Sequence, residues 1–223
     1  MREDSLIGTK LESSSVSTDT GGHGEIYLNL ANRMKLTGTN QLWVADITFV
    51  RLKREFVYLA VVLDRFSRKV VGWNLDRTLT ARLPLAALER ALEERRPEPG
   101  LVHHSDRGAQ YAHASYLRTL HMHGVVPSIS RPGSPTDNAN CESFFWTLKR
   151  EEVGAKEYRD LEDLWLNISE FIECYYNRIR LHSALGYRPP EEFEQVTVYS
   201  RAASISSASK LELVRREPQL SVD

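Results

Sequence analysis

The run FVYLAVVL at residues 56–63 most constrains how this chain can fold. It is almost entirely apolar, and it is closed by Glu55 on one side and Asp64 on the other. A helix that crosses a membrane needs about 20 apolar residues, so this run is far too short for one. A strand that is apolar on both faces is instead typical of the middle of a covered sheet. We therefore expect residues 56–63 to form a central strand and the chain to contain no membrane segment.

Shorter patterns on both sides of this run predict the rest of the sheet. Short charged connections join it to a strand before it and a strand after it, which favours antiparallel neighbours. A helical crossover then leads to a fourth strand, which we expect to run parallel to the first. The predicted elements are strands at 41–50, 56–63, 69–75, 101–104 and 125–129, and helices at 80–96 (capped by Thr80), 109–124, 137–153 (capped by Asp137) and from Asp160 onward. This order predicts an α/β fold with a mixed five-stranded sheet flanked by helices.

Composition divides the 223 residues into four regions. Residues 1–24 are rich in Ser, Thr and Gly and are expected to be a disordered N-terminal segment, and residues 25–40 a linker. Residues 41–194 form the predicted core, and residues 195–223 a mobile C-terminal tail. The two cysteines match neither a disulfide framework nor a zinc pattern, and no secretory signal is visible. A reducing, cytoplasmic location is the simpler interpretation.

Asp46 interrupts the first predicted strand. Strand alternation places it on the same face as Val44, Thr48 and Val50. A carboxylate among such neighbours is costly unless it is paired or binds a metal. Taken alone, Asp46 is also explained as an edge-strand residue that faces water, or as the partner of a buried arginine.

Two more acidic residues stand out later in the chain. Asp106 follows the fourth predicted strand directly, at the end of a strand where open α/β sheets place their sites, although Asp also begins many turns and helices. Glu142, with thirty-five residues between it and Asp106, lies in an aromatic-rich helical segment, where an exposed glutamate on the helix rim is the alternative. Its helix face also carries Asn138, Phe145, Trp146 and Lys149.

Three carboxylates favour a hard divalent cation over zinc. Carboxylate oxygens without clustered Cys or His are the ligands of Mg²⁺ or Mn²⁺. His103 and His104 are adjacent on a strand and point to opposite faces, so they are poorly placed to share one zinc ion. Two such ions about 4 Å apart can hold the attacking and leaving oxygens of a phosphodiester. Asp46, Asp106 and Glu142 are therefore predicted to form one metal site for phosphodiester chemistry.

Five blocks of the sequence, together with these residues, resemble the integrase catalytic core of DDE transposases of bacterial insertion sequences and of retroviral integrases. The blocks are QLWVADITFV, YLAVVLDRFSRKVVGW, LVHHSDRGAQY, DNANCESFFWTLKR and YYNRIRLHSALGYRPPEEF, in the order of the family. The resemblance covers about residues 40–194 and implies an RNase H-like fold. It also implies that Asp46, Asp106 and Glu142 are the catalytic triad that holds two Mg²⁺ or Mn²⁺ ions.

The resemblance further implies hydrolysis of DNA at the ends of a mobile element, followed by transfer of the freed 3′-OH to a target strand. Lys149 matches a basic residue of the family that contacts the DNA end. DNA contacts are also expected from Asn138, Arg178, Arg180 and His182, although the last three lie in a block that equally suits helix packing. Action on paired ends implies at least a homodimer.

The sequence departs from the family pattern in two places. Pro132 and Thr136 stand where the family more often has a lysine and an aromatic residue. Only about 40 residues precede the core, whereas full-length relatives carry a helix-turn-helix region there that reads the element ends, so the chain is expected either to be a truncated copy or to rely on a separately encoded partner. This departure and the net charge of −1 keep open a non-catalytic remnant that binds DNA or a partner transposase. A stand-alone RNase H-like nuclease is a third interpretation.

Overall fold

The computed structural model describes residues 28–130 and 138–199. Five strands form one sheet in the order β3-β2-β1-β4-β5. The elements are β1 (Leu42–Arg51), β2 (Phe56–Asp64), β3 (Val70–Asp76), α1 (Arg82–Arg95), β4 (Val102–Ser105), α2 (Ala114–Met122), β5 (Val126–Ile129), α3 (Ala139–Leu148), α4 (Leu161–Ser169) and a further helix, α5, over 190–199. Helices α3 and α4 continue as π-helical segments, Lys149–Val153 and Glu170–Tyr176.

The directions of β1 to β4 are those that the sequence predicts, and the structure adds the direction of β5. β2 is antiparallel to β1 and to β3, and β4 is parallel both to β1 and to β5. Residues 57–64 of β2 are buried apart from Tyr58, as expected of a strand covered on both faces. The prediction of a mixed five-stranded α/β sheet is therefore confirmed.

The two faces of the sheet have separate cores. On one face, Trp43 and Ala45 of β1 pack with α1 and α2. On the other face, Val44 and Val50 of β1 pack with α3, α4 and its π-helical continuation. α1 approaches β3 so closely that a Cβ atom on Gly72 would lie 2.1 Å from the carbonyl oxygen of Ala87, so only glycine fits there. The strand alternation that puts Val44 and Val50 on the α3 side puts Asp46 there too.

Several predicted helix boundaries differ from the structure. Thr80 was predicted to cap α1, but the helix begins one residue later, after Ala81, and has no side-chain cap. α2 begins at Ala114 instead of at residue 109, and the His113 ring accepts a hydrogen bond from the backbone N–H of Ser115. The predicted cap at Asp160 is confirmed, because its side chain accepts a hydrogen bond from the backbone N–H of Asp163.

Some predictions fall on parts of the chain outside the described residues. These are the disordered segment 1–24, the departures at Pro132 and Thr136, the cap at Asp137, and residues 200–223 of the tail. Residues 195–199, where the tail was predicted to begin, belong to helix α5. None of the helices within residues 28–130 and 138–199 has the length and apolar character to cross a membrane.

Candidate active site

Asp46 and Asp106 lie at the same edge of the sheet because their strands run in parallel. Val44 of β1 and His104 of β4 are direct register partners. Each aspartate lies two residues beyond its member of this pair, in the same chain direction. Since side chains alternate along a strand, both are expected on the face that Val44 and His104 share. The parallel crossover therefore brings together two residues that are 60 positions apart in the chain.

Helix α3 carries Glu142 across this edge. Its N-terminal residue, Asn138, is buried and donates a side-chain hydrogen bond to the carbonyl oxygen of Ala45, at 3.2 Å. Ala45 is the residue directly before Asp46, so this bond fixes the start of the helix against β1. Cys141 and Phe144 are buried in the core below, which turns Glu142 outward to solvent. Glu142 thus lies one turn along a helix that is anchored beside Asp46.

Asp46 has an unusual electrostatic environment. Burial raises the pKa of its carboxyl to about 6, a hydrogen bond from the backbone N–H of Ile47 (2.8 Å) lowers it, and the negative charges of Asp106 and Glu142 raise it further. The structure describes no cationic partner for Asp46. Asp106 and Glu142 therefore lie near enough to Asp46 to act on its carboxyl through space.

The side chains do not form a closed set of ligands. Among the described residues, no group of three or more His, Cys, Asp or Glu side chains is arranged tightly enough to hold a metal ion. Asp106 and Glu142 are both exposed. One Asp106 oxygen accepts a hydrogen bond from the backbone N–H of Gly108, at 2.9 Å. The donor chemistry of these carboxylates suits a hard divalent cation.

A buried chain of hydrogen bonds supports the edge of the sheet at which Asp46 and Asp106 lie. The backbone N–H of Leu30 donates to Ser128 Oγ at 2.9 Å, and that hydroxyl lies 2.9 Å from His104 Nδ1. His104 Nε2 lies 3.0 Å from Ser130 Oγ, which donates to the carbonyl oxygen of Ser105 at 3.2 Å. In a neutral ring this direction places the proton on Nε2. The chain links the ends of β4 and β5 directly below Asp106.

Two of the predicted DNA-binding residues lie on or beside the Glu142 face of α3. Lys149 is exposed, and its ammonium nitrogen lies 5.0 Å from the centre of the Phe49 ring. No carboxylate partner of Lys149 is present among the described residues. Asn138, by contrast, is only 8% exposed and uses its amide in the bond to β1. Lys149 is therefore available to bind an anion, whereas Asn138 anchors helix α3 to β1.

The other three predicted DNA-binding residues lie in the segment after α4. Arg178 pairs with Glu191 at 2.9 Å, and Arg180 pairs with Glu151 at 3.1 Å. Burial lowers the pKa of His182 to about 4, and the nearby Arg180 lowers it as well. His182 is therefore neutral at physiological pH. The two arginines need to leave their glutamates before they can bind a phosphate.

Arg68 lines the surface beside α3 and was not predicted. It lies in the β2–β3 turn, and its guanidinium donates a hydrogen bond to the side-chain oxygen of Asn140, 72 positions later in the chain. Sequence periodicity carries no signal for a contact at such a separation.

Two sequence models of the integrase core domain match this chain, one over residues 37–135 and the other over residues 123–190. Together they include β1, β4 and α3, the three elements that carry the carboxylates. This chain belongs to the integrase core domain family. The resemblance inferred from the five sequence blocks is thereby confirmed.

Similar curated proteins are transposases of insertion sequences. This integrase core is 40% identical over 168 residues to the transposase for insertion sequence element IS904 of Lactococcus lactis, an alignment that covers 75% of this chain and 66% of the relative. It is 41% identical over 158 residues to transposase InsF for insertion sequence IS3A of Escherichia coli, covering 71% of this chain and 55% of the relative. The chain thus spans between about half and two thirds of the length of these relatives.

Solved retroviral structures share the fold at low sequence identity. The simian T-cell lymphotropic virus intasome in complex with PP2A regulatory subunit B56 gamma matches with a TM-score of 0.59 at 14% identity, over 91% of this chain and 63% of that chain. The HTLV-2 integrase catalytic core domain in complex with magnesium matches with a TM-score of 0.54 at 13% identity, over 70% of this chain and 97% of that chain. These similarities agree with the RNase H-like architecture.

Proposed function

We propose that this chain is the catalytic core of an insertion-sequence transposase that cleaves DNA strands and joins them to target DNA with the help of divalent metal ions. One observation carries the proposal. Asp46, Asp106 and Glu142 come from three separate elements, yet the last two raise the pKa of the first through space. Family membership and the names of the similar transposases support the same reaction class.

Asp46, Asp106 and Glu142 are the proposed ligands of two Mg²⁺ or Mn²⁺ ions. The solved HTLV-2 core, which shares the fold, is a complex with magnesium. When bound, the ions would activate the attacking oxygen and stabilise the leaving one. The protein's own contribution is positional, since the parallel pair β1–β4 sets the two aspartates and the Asn138 bond sets the helix that bears Glu142.

Lys149 is the proposed contact to a DNA phosphate, because its exposed charge has no acidic partner among the described residues. Arg178 and Arg180 would join it by exchanging Glu191 and Glu151 for phosphate oxygens. His182 would add a neutral hydrogen bond. Asn138 would act at the DNA only through the position it gives to α3.

The partners follow from the reaction. DNA at the element ends and at the target is the proposed substrate, and joining of two ends calls for at least two copies of this chain. A separately encoded helix-turn-helix protein is the proposed reader of the element ends. The proposed place of action is the bacterial cytoplasm, at the chromosome.

A strand-transfer assay tests the proposal. The protein is given pre-nicked DNA from the element ends, a target plasmid and Mn²⁺ or Mg²⁺, and joined products are counted. Asp106→Asn and Glu142→Gln should each lower the rate on the order of 1,000-fold or more, because residues that act as one unit fail together. Glu89→Gln, on the exposed surface of α1, is the matched control and should keep the wild-type rate.

DNA binding by the wild-type protein without any cleavage or joining would contradict the proposal. That outcome would instead support a non-catalytic remnant. Activity that survives the Asp106 and Glu142 substitutions would also contradict it, since the chemistry would then lie elsewhere on the chain.

A further inference from the structure

A polar groove runs along α3 beside the proposed metal site. It has a volume of about 420 Å³ and lies between α3 and the segment at residues 180–187. Trp146 lies at its edge, one helical turn after Glu142, so the groove and the carboxylates share a ridge of the same helix. We call it the α3 groove; the lining residues that matter here are Arg68, Asn140, Trp146, Arg180, His182 and Tyr187.

The groove contains one uncompensated positive charge. Arg68 is partly buried, and burial lowers the pKa of its guanidinium. It donates a hydrogen bond to Asn140, which is neutral, and no carboxylate contacts it among the described residues. Arg180, on the opposite wall, is neutralised by Glu151. A partly buried cation without an anionic partner is unfavourable, and the planar guanidinium suits a phosphate group.

Two exposed aromatic rings border the groove. Trp146 is 58% exposed and Tyr187 is 72% exposed. Arg150 lies 4.8 Å from the centre of the Trp146 ring, so one face of the indole is already covered by a cation. Aromatic rings beside cations are the usual surface for stacking unpaired nucleobases, since every base has a π-face.

Backbone strain supports a function for the groove. Tyr187 has a φ of 57° directly after Gly186 at 65°, and Arg68 has a φ of 63°. Left-handed backbone is unfavourable for residues with a Cβ, and such residues gather at ligand sites. The turn at Tyr187 is held by its backbone N–H, which donates to the carbonyl oxygen of His182 at 2.9 Å. The strain is therefore held in place by the fold while the tyrosine ring faces solvent.

His182 offers the groove a hydrogen-bond acceptor. Its Nε2 atom is buried and has no hydrogen-bond partner among the described residues. Because burial lowers the pKa of His182 to about 4, the ring is neutral at physiological pH and Nε2 can act as an acceptor. A phosphate has no proton to give at neutral pH, whereas the exocyclic amines of adenine, cytosine and guanine do. An exocyclic amine of a base can therefore satisfy this atom, whereas a phosphate oxygen cannot.

We propose that the α3 groove binds one unpaired nucleotide of the substrate DNA, with the base against Trp146 and Tyr187 and its phosphate on Arg68. The inference rests on the proposed function and specifies the form of DNA that the site accepts. A base that stays stacked in a duplex does not expose its face to these rings. The groove therefore selects a frayed or single-stranded end next to Glu142.

Binding in EDTA tests the groove without requiring catalysis. Fluorescence anisotropy would compare a blunt 30-base-pair duplex with the same duplex that carries a three-nucleotide single-stranded overhang. Arg68→Gln, Trp146→Ala and Tyr187→Ala should each weaken binding of the overhang DNA about 5- to 10-fold, because a stacked base and a phosphate contact each contribute at least that factor. Binding of the blunt duplex should change by less than about twofold.

Matched variants separate stacking from packing. Trp146→Phe and Tyr187→Phe keep a flat ring and should bind overhang DNA within about threefold of wild type. Arg68→Lys keeps the charge and carries the test if Arg68→Gln fails to fold, as judged by circular dichroism. Arg118→Gln, on the exposed surface of α2 on the other side of the sheet, should bind as wild type does.

Equal losses on blunt and overhang DNA would overturn the nucleotide pocket, and so would wild-type affinity in Trp146→Ala and Arg68→Gln together. Failure of the proposed function looks different. If the overhang preference depends on these residues but the wild-type protein never cleaves or joins DNA with Mn²⁺, the groove stands and the catalytic proposal falls. Absence of any DNA binding by the wild-type protein would overturn both.

Discussion

Asp46 and Asp64 lie on neighbouring strands of one sheet, and burial raises the pKa of both carboxyls. Their surroundings are otherwise opposite. Asp64 is fully buried, and it accepts hydrogen bonds from the backbone N–H groups of Asn40 (2.6 Å), Phe66 (2.9 Å) and Ser67 (3.1 Å). The guanidinium of Arg95 lies 3.8 Å from it. The N–H groups of Asn40 and Ser67 and the charge of Arg95 partly offset the rise in its pKa.

Asp46 has little of this compensation. It accepts one backbone hydrogen bond, from Ile47, and its charged neighbours are the acids Asp106 and Glu142. A buried carboxylate that is surrounded by hydrogen-bond donors has its negative charge compensated, and it stabilises the fold. A partly buried carboxylate that is surrounded by other acids has an uncompensated negative charge, which favours the binding of a cation. Burial alone therefore does not identify a catalytic aspartate, whereas the sign of its neighbours does.

Substitution of each aspartate by asparagine should separate the two cases most sharply. Asp46→Asn should lower strand transfer on the order of 1,000-fold or more. At pH 8 without metal it should also raise the free energy of unfolding by about 1–2 kcal/mol, because it removes the negative charge of a carboxyl whose pKa the fold raises. This value is reduced to allow for the partial exposure of Asp46. Asp64→Asn should lower that free energy by about 2 kcal/mol, since its amide would face the N–H of Asn40.

Urea denaturation and the strand-transfer assay measure these two effects on the same samples. Asp64→Asn should keep activity within about tenfold of wild type well below its unfolding temperature. If both variants lose stability equally, Asp46 is a structural carboxylate like Asp64 and the contrast between them disappears.

The pH dependence of metal binding should follow the raised pKa of Asp46. Ten millimolar Mg²⁺ should raise the unfolding temperature at pH 8 by about 3–6 °C if the dissociation constant is near 1 mM. Below pH 6 protons compete for Asp46, so the affinity should fall by up to about tenfold per pH unit. Without metal the sign reverses, because an acid with a raised pKa destabilises the fold as pH rises from 3.8 through about 6.

Differential scanning fluorimetry from pH 5 to pH 8 measures both trends. Asp46→Asn should show neither the metal shift nor this component of the pH trend, while Glu89→Gln should show both. A metal shift that stays constant across this range would break the link between Asp46 and the ion.

The same contrast between compensated and uncompensated charges should hold for cations, with a smaller effect. Lys149→Gln should weaken duplex DNA binding about fivefold and reduce the salt dependence by about one unit of slope. Arg180→Gln should change binding less than about twofold, because the phosphate contact that Arg180 would gain on DNA costs it the ion pair with Glu151. Salt titrations of both variants measure the difference, and a larger effect at Arg180 would show that the phosphate contact outweighs that ion pair.

The strands and the directions of β1 to β4 could be predicted because each rests on a short-range signal, and the same kind of signal singled out the three acidic residues. The apolar run at 56–63 marks a central strand, and Asp106 marks a strand end. The cap at Asp160 was predicted for the same reason. The predicted cap at Thr80 is wrong, because α1 begins after Ala81. A residue that has the chemistry of an N-cap therefore does not by itself decide where a helix begins.

Contacts between distant segments had no such signal. The bond from Asn138 to Ala45 joins residues 93 positions apart, and the bond from Arg68 to Asn140 joins residues 72 positions apart. In the sequence Asp64 is only the charged end of a strand, because its donors lie in the β2–β3 turn and, at Asn40, before β1. Which acids stay uncompensated becomes visible only when the strands and turns are packed together.

The hydrogen-bond chain from Leu30 to Ser105 has a practical consequence for anyone who trims or fuses this protein. The first link is a backbone N–H that lies before β1, and it ends on the buried hydroxyl of Ser128. A chain cut back to residue 41, where the sheet begins, would remove that donor and free β5 at its outer edge. A tag or domain attached close to residue 28 would instead disturb the hydrogen-bond chain that supports Asp106. The boundary of the functional unit therefore lies upstream of the boundary of its sheet.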